Sequence, residues 1–229
     1  MDRREPLRIA PPEDALLRVN AEAPVARLLL AHGAGAPMDS DFMNALAEAL
    51  AAKGVSTLRF EFPYMATRRQ TGAKRPPDRE PRLLDCWREW VRAVDRSEES
   101  LPLLIGGKSM GGRMASLVVD ELADALGVAG LCCYGYPFHP PGRTERLRTA
   151  HLVGLRTPAL ILQGSRDPFG KPEDVGSLVL SPGLRIHWLA EGDHDFKPRR
   201  ASGLAQKDLI AGAALATREF ALSLMGRGQ

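Results

Sequence analysis

The chain has 229 residues, 44% of them hydrophobic and 26% charged, with a formal net charge of +3. That balance allows a sizeable buried core and excludes a wholly disordered chain, while so small a positive surplus gives no case for nucleic-acid binding. Cys86 and the neighbours Cys132 and Cys133 are too few and too badly spaced for a disulfide framework, there is no N-terminal apolar leader, and no run approaches the roughly 18 apolar residues of a membrane span, so a cytoplasmic protein without membrane attachment is expected.

Short apolar runs alternate with stretches of helical periodicity, the pattern of parallel strands joined by crossover helices. In chain order the expected elements are strand 25–31, helix 41–53, strand 55–62, helix 82–95, strand 103–107, helix 110–126, strands 128–134 and 159–163, helix 172–180, strand 184–190 and helix 205–225. Each strand is almost continuously apolar, as burial on both faces of a sheet requires. In the first helix Phe42, Leu46, Ala49 and Leu50 share one stripe that should face the sheet. Gly54 and Gly127 follow two helices as C-caps. Residues 68–82, with six basic side chains and three prolines, read as a surface loop. The expected fold class is α/β, a mostly parallel sheet with helices on both faces, in a single domain over 1–229 with no inserted lid.

The first chemical signal in chain order is His32-Gly33-Ala34-Gly35, directly after the first strand. Its histidine is expected to brace the loop by hydrogen bonding. The strongest signal is Gly107-Lys108-Ser109-Met110-Gly111-Gly112, a G-x-S-x-G pattern directly after an apolar strand. A chain turning sharply from strand to helix needs glycines around the serine, which is then held exposed in a strained conformation. A phosphate-binding P-loop shares the ending G-K-S, but needs glycine where Pro102 stands.

A serine hydroxyl needs a base, and the base an acid to orient it. Asp167 lies just beyond strand 159–163 and His194 just beyond the last strand, in the order serine, acid, histidine that this architecture uses. The catalytic candidates are therefore Ser109, Asp167 and His194. An oxyanion needs two aimed N–H groups; Met110 and Ala34 are the candidates, with Gly33 the near alternative to Ala34. His187 reads as a core or edge-strand residue, and His139, in the loop Tyr136-Pro137-Phe138-His139-Pro140-Pro141-Gly142, as either pocket wall or loop packing. Arg68, Arg69, Arg113 and Arg143 are candidate contacts for a negatively charged substrate. No cofactor or metal is implied: ligand spacing is lacking, and no G-x-G-x-x-G follows the first strand.

These motifs, with R-F-E-F-P-Y-M at 59–65, Q-G-S-R-D-P-F-G at 163–170 and G-D-H-D-F at 192–196, resemble the small dienelactone-hydrolase-like hydrolases of the α/β-hydrolase superfamily, related to testis-expressed protein thirty and to subunit three of the NSL chromatin complex. The resemblance implies an α/β-hydrolase fold without a lid and the same Ser109, Asp167 and His194 triad. It departs from true dienelactone hydrolases, whose nucleophile is cysteine. The expected function is a serine hydrolase of carboxylesterase type acting on an ester, thioester or activated amide of a small acyl substrate. The alternative is an idle hydrolase fold serving as a protein-interaction module, with the basic 68–82 segment as its docking loop.

Overall fold

The computed structural model describes residues 15–94 and 101–226. Their strands form one seven-stranded sheet: β1 (Leu17–Val19), β2 (Ala26–Ala31), β3 (Val55–Phe60), β4 (Leu103–Lys108), β5 (Gly130–Tyr134), β6 (Ala159–Gly164) and β7 (Leu184–Leu189), in the order β1-β3-β2-β4-β5-β6-β7. Only β1 is antiparallel, pairing Leu17 with Arg59 and Val19 with Thr57. The helices are α1 (Asp41–Ala51), α2 (Pro63–Thr71), α3 (Glu80–Ala93), α4 (Met110–Leu126), α5 (Pro172–Val175) and α6 (Gln206–Met225).

β2 to β6 are buried at every position, because the helices pack on both faces. Alternate side chains divide the core accordingly. Leu29, Phe60, Ile105 and Ile161 meet Trp87 and Trp90 of α3 and Val118 and Leu122 of α4. Leu28, Leu30, Leu104 and Leu162 meet Met43, Leu46 and Leu50 of α1 and Ala213, Phe220 and Ala221 of α6. Among the described residues, the long connection from β5 to β6 carries only the short helical turn Ala150–Leu152 and no inserted lid.

Several expected boundaries move. The strand drawn over 55–62 stops at Phe60, because Phe62 already caps α2, a helix the sequence did not announce. The loop expected over 68–82 shrinks accordingly: α2 runs to Thr71 and α3 begins at Glu80. The remaining segment is exposed but anchored, since Asp78 Oδ2 accepts the Tyr64 N–H at 2.9 Å. α5 ends at Val175, well short of 180, and Asp95 of the expected helix 82–95 lies outside the described residues. The α1 stripe rotates slightly, so Met43, Leu46, Ala47 and Leu50 are buried while Phe42 is left partly open. Gly127 is a left-handed C-cap as expected (φ 66°); Gly54 is also left-handed (φ 81°) but lies beyond the actual cap, Ala52. Cys86, Cys132 and Cys133 are free and buried. Among the described residues, no helix is long and apolar enough to cross a membrane.

The arrangement of strands fixes where a site can form. From β2 the chain first adds β3 on one side and then crosses to place β4 on the other. At that reversal the loops leaving the carboxyl ends of β2 and β4 come together at one edge of the sheet, the place where open α/β sheets form their ligand sites. The segments 32–36 and Ser109 are the ones that leave there.

Candidate active site

Ser109 sits between β4 and α4 with φ 51° and ψ −116°, a strained backbone for a residue with a side chain. The turn is locked from both sides. Its N–H donates to the Tyr134 carbonyl of β5 at 3.0 Å. A Cβ on Gly107 would come 2.7 Å from the Ala31 carbonyl oxygen, and one on Gly111 would come 2.5 Å from that of His32, so these two glycines let β2 and α4 close on the elbow. Met110 is the first residue of α4, where free N–H groups and the helix dipole favour negative charge.

The loop after β2 is braced as expected. The buried His32 accepts the Phe62 N–H on Nε2 at 3.1 Å, so its Nδ1 carries the proton and donates to the Gly33 carbonyl at 2.6 Å. Burial lowers the proton affinity of this ring and keeps it neutral. The Tyr64 hydroxyl donates to the Ala34 carbonyl at 2.9 Å. Among the described residues neither the Ala34 nor the Met110 N–H donates a hydrogen bond.

Asp167 is completely buried in the turn after β6. Its Oδ1 accepts the Phe169 N–H at 2.9 Å, and its Oδ2 accepts from Gln163 Nε2 at 2.9 Å and from His194 Nδ1 at 2.7 Å. With Nδ1 so engaged, Nε2 is the nitrogen of His194 left to accept a proton. The imidazole, its side chain 21% exposed, lies 4.4 Å from the Phe169 ring between centroids. The His194 loop is tightly wound, with positive φ at Glu191 and Phe196.

Ser109 and His194 face one cleft of about 320 Å³, together with Gly33, Ala34, Phe42, Met43, Phe169, Lys108 and Asp195. No hydrogen bond joins the Ser109 hydroxyl to His194 among the described residues; such contacts commonly tighten only when substrate is bound.

A family model for the alpha/beta hydrolase domain matches residues 24–222. The chain belongs to the alpha/beta hydrolase family. Solved structures of similar fold include an alpha-beta serine hydrolase homologue from Coxiella burnetii, 18% identical over 91% of this chain and 89% of that one, with a TM-score of 0.61. Est1E from Butyrivibrio proteoclasticus is 14% identical over 93% and 99% of the two chains, with a TM-score of 0.66. A dienelactone hydrolase from Anabaena variabilis is 19% identical over 90% and 89%, with a TM-score of 0.63.

The hydrolase cleft differs from the sequence reading in its charges. None of the four candidate arginines lines it. Arg69 binds Glu61 and Asp39 with 2.6–3.0 Å contacts, Arg113 binds Glu80 at 3.0 Å, and Arg143 is exposed. Arg68 lies beside a separate hollow of about 190 Å³ with Pro37 and Met65. The charged residues that do line the cleft are Lys108 and Asp195, whose position inside the motifs carried the signal, because each adjoins a singled-out residue. His139 is buried loop packing rather than wall: its N–H donates to the Phe169 carbonyl at 3.2 Å. His187 is exposed on the edge strand β7.

Proposed function

We propose that this alpha/beta hydrolase is a serine hydrolase of carboxylesterase type, with Ser109 as nucleophile, His194 as base and Asp167 as the orienting acid. The observation that carries the reading is the 2.7 Å contact from His194 Nδ1 to the buried Asp167 carboxylate, at a cleft that also holds Ser109 on a strained elbow. His194 Nε2 takes the proton of Ser109 Oγ as that oxygen bonds to the substrate's carbonyl carbon, and the carbonyl electron pair moves onto oxygen. The N–H groups of Met110 and of Ala34 or its neighbour Gly33 stabilise that oxyanion. When the oxyanion collapses, the leaving group departs with the proton from His194. Water, deprotonated by the same imidazole, then releases the acyl group and restores the serine.

A cleft of about 320 Å³ is at the small end of ligand sites and fits an ester, thioester or activated amide with a short acyl group. Two measurements test the reading. A fluorophosphonate probe should add its mass to Ser109, and hydrolysis of a short nitrophenyl ester by the parent should be lost in Ser109→Ala. An unlabelled Ser109, or an undiminished rate in Ser109→Ala, overturns the proposal.

A further inference from the structure

The nucleophile and base arrive on separate segments, the β4–α4 turn and the loop after β7, and no hydrogen bond between their side chains holds them in register. Their chain neighbours do meet. Lys108 precedes Ser109, Asp195 follows His194, and Lys108 Nζ lies 3.3 Å from Asp195 Oδ1. The lysine side chain is only 8% exposed and the aspartate 50%, so the ion pair runs from beneath the cleft to its rim.

Both ends are fixed. The Lys108 stem passes under the oxyanion loop, 3.6 Å from where a Cβ on Gly33 would lie, and its ammonium stands 5.4 Å from the centre of the Phe42 ring. The Asp195 N–H donates to Asp193 Oδ1 at 2.9 Å, and its carbonyl accepts from Gln206 Nε2 at 2.7 Å, tying it to the start of α6. Burial weakens the hold of Lys108 on its proton, and Asp195 is the strongest influence opposing that. A charge enclosed this way is costlier for the fold than an apolar side chain of similar size, which directs attention from stability to alignment.

We propose that the Lys108–Asp195 ion pair is a clamp that holds the His194 loop over the nucleophile elbow and sets the span the Ser109 proton must cross. The inference rests on the serine-hydrolase reading above. Lys108 and Asp195 are positioning residues, each acting through the triad member beside it.

The test uses the full chain with Lys108→Met, Asp195→Asn, Asp195→Glu and the double variant Lys108→Met/Asp195→Asn. On a short nitrophenyl ester, Lys108→Met and Asp195→Asn should each lower kcat by about tenfold to a hundredfold, as misalignment of about 1 Å does, with KM within about twofold. Asp195→Glu should keep most of the rate, because its carboxylate still reaches the ammonium. The double variant should be no slower than the slower single, since partners in one interaction are not additive. Tm of Lys108→Met should equal or exceed that of the parent, and backbone amides of residues 191–197 should exchange faster in both single variants.

Unchanged kcat overturns the clamp, as do losses that multiply in the double variant or that follow a fall in Tm. A raised KM at full kcat also overturns it, and marks Lys108 as a substrate contact instead. If the parent protein neither labels nor hydrolyses, the serine-hydrolase reading falls by itself; hydrogen exchange still decides the clamp, which unaltered protection of 191–197 in Lys108→Met would overturn.

Discussion

At the scale of single residues, the candidate site contains a carboxylate with no exposure to water. Asp167 survives burial because three donors reach its two oxygens: the Phe169 N–H, the Gln163 amide and the His194 ring. Gln163 is itself satisfied, its Oε1 accepting the Tyr136 N–H at 2.7 Å, so the acid rests on a second buried polar group. Replacing Asp167 with asparagine keeps the shape but lets an amide N–H face the imidazole, which favours the tautomer with its proton on Nε2. In the proposed mechanism, that tautomer has nothing left to accept the serine proton. Asp167→Asn should therefore lower kcat by about three to four orders of magnitude while far-ultraviolet circular dichroism stays unchanged; a loss of less than about tenfold would remove Asp167 from the mechanism.

At the scale of elements, the elbow is a three-way junction of β2, β4 and α4, and the closeness of backbones there is what glycine makes possible. A methyl group on Gly111 would meet the carbonyl oxygens of both Ala31 and His32, at 2.8 and 2.5 Å, and these are backbone atoms at and just past the end of the central strand β2, with little room to yield. Gly111→Ala should cost about 1–3 kcal/mol of stability as overpacking, read from urea unfolding, and a shift of α4 should lower the labelling rate of Ser109 as well. An alanine variant as stable and as reactive as the parent would mean the junction is looser than described. Elements of this kind were legible in the sequence because their physics is local. β2 to β6 are buried on both faces and read as mostly apolar runs, broken only by residues such as Arg27, Arg59 and Gln163, and Ser109, Asp167 and His194 each fall just past a strand end. β1 and α2 were not legible: β1 is three residues at an edge, and α2 buries only Tyr64 and Met65 while presenting Arg68 and Arg69 outward. Lys108 escaped notice for a related reason. A lysine at a strand end ordinarily reaches for water, and only the tertiary approach of the His194 loop encloses this one.

At the scale of the whole molecule, two histidines other than His194 make the fold sensitive to mild acid. Burial lowers the proton affinity of His32, and burial followed by the nearby Arg113 lowers that of His151. Both rings hold structure in the neutral form. His32 must accept the Phe62 N–H to keep the loop after β2 seated. His151 Nε2 lies 2.8 Å from Ser116 Oγ, whose own proton goes to the Arg113 carbonyl, so the ring is the donor there. In the unfolded chain both histidines return to the ordinary value of about 6.5, so below that pH the unfolded state binds more protons than the native state. Stability is therefore fully present above about pH 6.5 and is lost progressively as pH falls toward the lower native values. The carboxylates Asp39, Asp120 and Glu121, held below their ordinary range, contribute their own loss only below about pH 4.5, so unfolding midpoints measured between about pH 7.5 and about pH 5.5 isolate the histidines. His151→Gln keeps a donor for Ser116 and removes the titration. It should shrink the difference between the two midpoints, and an undiminished difference would assign the acid sensitivity to His32 and the loop it braces.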